Sequence, residues 1–312
     1  MEETVLGQLY ALARDAVHPG GAPAGPCPCP QGVLADRDDG TVVRHGDLVL
    51  KVHAPGGDPG ELRSRVAVAA APGLGEVLLP PLPRPRPELD GRPLTAWPYG
   101  VPVDPDAPEA APWEEAARLL AALHRTPPPP GLPPMRAPVK AALAVERMRR
   151  AAPDHPGTAT VLRAWRTLPD PPHTSPSPEP ALCHGDFHLG QLVRAPYWRL
   201  IDVDDLGVGD PAWDLARPAA WFAAGLLAPE VWARFLGAYE AAGGSATTSP
   251  AGGDPWARLD VPARALTVQT AALALAKSNA EGRALDEVEE VMIDTCARIG
   301  SLRTELAPPA ST

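Results

Sequence analysis

Proline decides what this chain is able to build. Of 312 residues 43 are proline, about 14 % against the ~5 % of ordinary soluble chains. Its ring fixes φ and removes an N–H, so a proline-rich stretch cannot form a helix interior or a central strand. Spread evenly, this much proline would read as disorder. It concentrates instead, with 18 of the 43 at Cys27–Pro30, at residues 80–86, at Pro127–Pro134 and at residues 168–180, and the motif segments after residue 183 are nearly free of it. The bunches therefore mark joints between regular elements.

With 28 Lys and Arg against 38 Asp and Glu, the net charge is −10. Such a chain has no basic footprint for a phosphate backbone, which disfavours nucleic-acid binding. The length and the 45 % of apolar residues suit two modest domains, or one domain split into lobes, around a sizeable core. Lysine is scarce: Lys51, Lys140 and Lys277 stand beside 25 arginines, so a surviving lysine points to a need for it. Cys27 and Cys29 form a C-x-C pair, Cys183 and Cys296 are single, and His184 and His188 make an isolated H-x-x-x-H. Without any C-x-x-C, neither a disulfide framework nor a structural zinc site is expected. The opening Met1-Glu2-Glu3-Thr4 has no basic segment leading into an apolar one, and no apolar run is long enough to span a bilayer. A reduced, soluble, cytoplasmic protein with no membrane partner is expected.

Val5, Leu9, Leu12 and Ala16 recur at helical spacing, and His18-Pro19-Gly20-Gly21 ends the run. Residues 32–53 alternate as three strands joined by turns at Asp38-Asp39-Gly40 and His45-Gly46-Asp47. The pattern then predicts a helix over 59–71, strands over Glu76–Leu79 and Pro93–Trp97, and a strongly periodic helix over 113–125. Helical patterns follow at 137–151, 158–167, 211–227, 229–242, 255–279 and 284–305, with a Gly/Ser/Thr linker at 243–253. The order is that of an α+β chain, strand-rich over residues 1–100 and mainly helical over 101–312.

The segment from His184 to Ala216 carries the chemistry. Asp186, Asp202, Asp204, Asp205, Asp210 and Asp214 crowd 29 positions, interleaved with apolar strand stubs such as Leu192-Val193 and Leu200-Ile201. Acids alternating with strand residues read as a hairpin presenting carboxylates at its ends. Unpaired carboxylates facing one another raise each other's pKa and destabilise a fold unless a cation joins them. The arrangement suits phosphoryl transfer from a nucleotide, in which metal ions on carboxylates and an amide neutralise the phosphates and a further carboxylate orients the attacking hydroxyl.

His184-Gly185-Asp186-Phe187-His188-Leu189-Gly190-Gln191, with Ile201-Asp202-Val203-Asp204-Asp205 and Gly209-Asp210-Pro211-Ala212-Trp213-Asp214-Leu215-Ala216, resembles the paired motifs of the aminoglycoside phosphotransferase family of small-molecule kinases. The resemblance implies a bilobal protein-kinase-like fold, with an antiparallel sheet and helix in the N-lobe and a mainly helical C-lobe. It implies ATP, or GTP in its place, as donor, Mg2+ as metal, and a hydroxyl of a small polar molecule as acceptor. It makes Asp186 the catalytic carboxylate, Gln191 and Asp202 the metal ligands, His184 and Asp214 braces of the catalytic loop, and His188 and Asp205 further lining residues. Lys51 corresponds to the lysine that grips the α- and β-phosphates, with Glu61 as its ion-pair partner. Backbone groups from Ala96 through Trp97 to Tyr99 fall where adenine is bound, while the two aromatic rings read as packing.

Two departures stand out. Gln191 replaces the family's Asn, and the first hairpin, Asp36-Arg37-Asp38-Asp39-Gly40, has one glycine and three acids where triphosphate would pass. They keep open a nucleotide-binding pseudokinase as the alternative to an enzyme. Division at Gly100 leaves a charge of −3 in front and −7 behind, and acids crowd residues 281–294. That excess suits a cationic acceptor such as an aminosugar or aminoglycoside antibiotic, with a maltokinase-like sugar kinase and a kinase of amino alcohols as the alternatives. The state of assembly is left between monomer and homodimer.

Overall fold

In the computed structural model, residues 4–20, 27–37, 40–107, 110–169, 180–247 and 254–306 are described. Asp38 and Asp39 of the first hairpin, residues 170–179 of the last proline run and residues 248–253 of the linker lie outside the described residues. The chain divides into two compact units, Met1–Ala111 with Gly190–Asp204, and Pro112–Leu189 with Asp205–Thr312. A single cut at residue 100 therefore misses the return of residues 190–204 to the first unit.

In the first unit, helix α1 (Val5–Val17) starts where the Thr4 hydroxyl accepts the Gly7 N–H. Strands β1 (Gln31–Arg37), β2 (Gly40–His45) and β3 (Leu48–His53) form the expected meander. Helix α2 (Pro59–Ala69) follows the Asp58 cap, with proline at its first position, where no N–H is needed. Strands β4 (Glu88–Leu89) and β5 (Arg92–Pro98) complete a sheet of order β1-β2-β3-β5-β4, antiparallel throughout. Leu9 and Ala13 of α1 close its core against Val43, Leu50, Val52 and Leu94.

Glu76–Leu79 is not the strand expected from its composition. It turns, and only Leu78 makes a parallel bridge, to Leu200. The reason is the return of the chain: β6 (Val101–Pro102) pairs with β8 (Leu192–Arg194), which pairs with β9 (Trp198–Leu200). Leu200 donates its N–H to Val77 and accepts one from Leu79, so a segment distant in sequence supplies the partner.

The second unit is built from α3 (Trp113–Arg125), α4 (Ala137–Ala151), α5 (Pro156–Trp165), α6 (Ala216–Ala224), α7 (Pro229–Ala241), α8 (Trp256–Glu281) and α9 (Glu287–Leu306). The pattern over 211–227 resolves into a 3-10 turn at Pro211–Trp213 followed by α6, because the Asp210 carboxylate accepts the Ala212 N–H and caps that turn first. Pro262 lies inside α8, so one proline does occupy a helix interior. Met148, Val161, Val268, Leu275 and Met292 share the main helical core. Trp213 and Trp232 are buried, as expected of core aromatics.

Two short strands of this unit, β7 (Ala181–Cys183) and β10 (Gly207–Gly209), pair antiparallel and flank the catalytic motif. A Cβ on Gly207 would lie 2.4 Å from the Pro133 carbonyl oxygen and 2.4 Å from the Met135 nitrogen. Backbone cannot give way as a flexible side chain can, so Gly207→Ala is expected to cost about 1–3 kcal/mol, read as a lower urea midpoint. An unchanged midpoint would refute this close approach.

Candidate active site

Lys51, on β3, is the centre of the first unit's polar cluster. Its Nζ lies 2.7 Å from Asp202 Oδ1 and 3.0 Å from Asp204 Oδ2. Burial works against the charge of Lys51, but the two carboxylates outweigh it and hold its pKa above the ordinary lysine range. Burial likewise opposes the charge on Asp204, and Lys51 with His53 pulls its pKa well below the usual carboxylate range.

His53 Nδ1 lies 2.9 Å from the Asp204 carboxylate and Nε2 lies 2.8 Å from the Thr95 hydroxyl, which also accepts from Trp97 Nε1 at 2.9 Å. A carboxylate only accepts, so a neutral His53 carries its proton on Nδ1 and the Thr95 hydroxyl donates to Nε2. This chain of bonds ties Trp97 to the carboxylates that hold Lys51.

Glu61 does not meet Lys51. It bonds Arg65 at 3.0 Å, one turn on along α2, where i,i+4 spacing puts the two on one face. Asp202 and Asp204 take the place expected for it. Gln191 is buried, and its carbonyl accepts the Ile201 N–H at 2.9 Å. That bond extends the β8–β9 register, in which Leu192 faces Leu200, and sets Gln191 and Asp202 at the same end of the hairpin. Asp202 itself has φ +62°, in the left-handed region that a non-glycine residue rarely adopts.

Two backbone groups of the Ala96–Tyr99 stretch are engaged within the protein. The Ala96 carbonyl accepts from Leu82 N and Tyr99 N donates to Asp47 O, each at 2.8 Å. The Arg44 guanidinium lies 3.3 Å from the Tyr99 ring centroid, so that ring packs within the protein.

In the second unit, Asp214 holds the loop that carries His184 and Gly185. It is buried, and its carboxylate accepts the N–H groups of His184 at 2.6 Å and Gly185 at 2.7 Å, with His124 Nε2 at 3.0 Å. His124 Nδ1 lies 2.7 Å from the Tyr239 hydroxyl, which accepts the Ala246 N–H. Burial would raise the pKa of Asp214, but these donors and the neighbouring histidines hold it below its ordinary value. Gly185 has φ +81°, and a Cβ there would lie 2.1 Å from the Asp205 carbonyl oxygen, so only glycine fits.

Asp186 faces two cations. Lys140 Nζ is 2.7 Å from Oδ2 and Arg217 Nη2 is 3.1 Å from Oδ1. Lys140 also lies 2.7 Å from Asp205. Burial opposes the charge on Asp186, but Lys140, then Arg217, and to a smaller extent His188 hold its pKa far below the usual carboxylate range. A small cleft is lined by Lys140, Asp186, Trp213, Arg217, Leu266 and Gln269. Arg217 Nε and Gln269 Oε1 are buried there without a partner.

Sequence reasoning passed over Lys140, Arg217, His53, His124 and Tyr239 as site residues, and gave Asp204 no role beyond its place in the acidic segment. A signal existed for Lys140, since the scarcity that marks Lys51 marks it equally. Cys27 and Cys29, spaced unlike a zinc motif, are brought together by the fold with His18 and His45.

A family model described as phosphotransferase enzyme family matches residues 32–259. The chain belongs to that family. This phosphotransferase matches no curated protein in sequence, but its fold is shared by solved structures. A choline/ethanolamine kinase family protein from Mesorhizobium loti is 16% identical with a TM-score of 0.60, covering 98% of this chain and 96% of that one. Choline kinase LicA from Streptococcus pneumoniae is 12% identical with a TM-score of 0.61, covering 95% and 99%. A thermostable mutant of aminoglycoside phosphotransferase APH(4)-Ia, in ternary complex with AMP-PNP and hygromycin B, is 16% identical with a TM-score of 0.60, covering 93% and 99%. Among the described residues no helix of the phosphotransferase is long and apolar enough to cross a membrane.

Asp214→Asn removes the charge that three donors close on, and the loss expected is about 3–5 kcal/mol, as for other broken buried pairs, measured by urea unfolding. The unfolded chain takes up protons near the ordinary aspartate pKa of about 3.9, and folded Asp186, Asp204 and Asp214 only at lower pH. Their stabilisation is thus complete above that pH and drains away as pH falls towards the folded values. The Asp214→Asn protein is expected to show a shallower acid loss of stability than the wild type. An equal slope would remove Asp214 from this account.

Proposed function

We propose that this phosphotransferase moves the terminal phosphoryl group of ATP to a hydroxyl of a small, uncharged polyhydroxyl compound, a sugar or polyol. The donor half rests on Lys51, a half-buried lysine held by two carboxylates, which would grip the phosphates, with GTP able to offer the same phosphate oxygens. Gln191 and Asp202 present an amide oxygen and a carboxylate at one end of the hairpin, the hard oxygen donors that Mg2+ takes. Bound there, Mg2+ would neutralise charge on the transferring phosphoryl group. Asp186 would orient the acceptor hydroxyl. Its low pKa suits this task, because phosphoryl transfer asks for positioning and charge neutralisation more than for a strong base. His184 and Asp214 would act through the backbone of the loop, while His188 and Asp205 would tune its charge.

The single observation that carries the acceptor class is the pair of cations on Asp186. A polyammonium acceptor would bring its charge against Lys140 and Arg217, 2.7 Å and 3.1 Å from the carboxylate that must receive it. The unpartnered Arg217 Nε and Gln269 Oε1 offer one donor and one acceptor, the complement of a hydroxyl. The acids near the start of α9, which favoured an aminoglycoside, are partly engaged: Glu281 and Glu289 both bind Arg283. An aminosugar is accordingly the second reading, and a nucleotide-binding pseudokinase the third.

ADP release, assayed with Mg2+ across sugars, polyols, choline and aminoglycosides, is expected to rise with the uncharged compounds. Turnover confined to the polycations would overturn the acceptor class, and nucleotide binding without any turnover would leave the pseudokinase. Asp186→Asn is expected to lower kcat by about 10²–10⁴-fold while the thermal shift caused by ATP and Mg2+ persists. Lys51→Met is expected to abolish that shift; an undiminished one would remove Lys51 from the donor site.

A further inference from the structure

Four side chains of the first unit converge far from each other in sequence. His18 is the C-terminal cap of α1, Cys27 and Cys29 precede β1, and His45 ends β2. His18 Nε2 lies 3.2 Å from Cys27 Sγ, 3.6 Å from Cys29 Sγ and 3.3 Å from His45 Nε2, and His45 Nε2 lies 3.5 Å from Cys27 Sγ. All four ligand atoms fall within 4.8 Å of one another. His45 is buried and the other three are half-buried, so the cluster lies at the edge of the unit.

Zinc binds imidazole nitrogen at about 2.0–2.1 Å and thiolate sulfur at about 2.3 Å, in a tetrahedron. The edges of such a tetrahedron are about 3.3 Å between nitrogens and about 3.6 Å between nitrogen and sulfur, by simple geometry on those bond lengths. Three of the four distances found here match those edges, and the His18–Cys27 distance is about 0.4 Å shorter than its edge. We propose that His18, Cys27, Cys29 and His45 bind one structural Zn2+. Two thiolates cancel the charge of the ion, so the site holds no net charge, and two nitrogens with two sulfurs in a tetrahedron select zinc over the harder divalent ions. The cysteines are free thiols in the structure. A bond between them would leave two imidazole nitrogens facing each other at 3.3 Å with no ion to share.

The ion joins three pieces of the first unit: the end of α1, the stretch before β1, and the β2–β3 turn. Gly46 in that turn, at φ +60°, donates its N–H to the Pro30 carbonyl, and Asp47 accepts the Tyr99 N–H. The metal would therefore fix the turn on which the end of β5 rests. The sequence conceals it because C-x-C, with one histidine nine residues before Cys27 and the other sixteen after Cys29, matches no common zinc spacing.

The test is elemental analysis of the full chain, made without a histidine tag and purified under reducing, chelator-free conditions. About one zinc per chain is expected, as for any structural site of four protein ligands, with at least a tenfold loss in the Cys27→Ser, Cys29→Ser double variant. Should that variant fail to fold, Co2+ added to the zinc-stripped wild type decides the matter. Intense visible bands of tetrahedral cobalt with thiolate-to-metal charge transfer support the site. A wild type without zinc that also gives no such bands, undiminished zinc in the double variant, or a Cys27–Cys29 disulfide in fresh protein would each overturn it. None of these readouts depends on the reaction catalysed.

Discussion

A carboxylate cut off from water organises the loop that leads into Asp186. Asp214 is buried, and ionisation there is tolerable only because three donors close on it: two successive backbone N–H groups and one imidazole. Those two N–H groups belong to His184 and Gly185, so satisfying the charge fixes the backbone immediately before Asp186. The glycine between is required twice, by its positive φ and by the Asp205 carbonyl packed against it. Electrostatic necessity thus becomes positional precision for the side chain that would meet the acceptor.

Paired burial governs the first unit as well. A half-buried ammonium on a central strand needs anionic company, and Lys51 finds it in the hairpin that returns from residue 190, not in α2. Asp204 is shared between Lys51 and His53, and His53 leads through Thr95 to Trp97. One network therefore runs from the proposed phosphate grip to the stretch expected to meet the base. Glu61 lies outside it because Arg65, four residues on, is the nearer cation.

The surroundings of Asp186 change the picture of the acceptor more than any motif does. Overall charge favours a cationic substrate, yet Coulomb interactions are strongest at short range and in partly buried places, where Lys140 and Arg217 stand. Six acids in one stretch look like surplus negative charge only until their partners are known. Asp186, Asp202, Asp204, Asp205 and Asp210 each bind a lysine or arginine, and Asp214 binds backbone and histidine.

By itself the sequence determined the α+β class, the three-stranded meander, the helices and the family, because local periodicity, proline punctuation and contiguous motifs are properties of neighbours along the chain. It also raised the expectation that Asp186, Gln191, Asp202 and Lys51 serve the site. Only the tertiary structure decided what Lys51 pairs with, that residues 190–204 return to the first unit, that Lys140 and Arg217 face Asp186, and that two cysteines meet two histidines. Each of those depends on contacts between residues 9 to 151 positions apart, and no local pattern encodes which of them a fold will bring together. Glu76–Leu79 shows the same limit in the backbone, where strand-like composition yields to a partner that arrives from residue 200.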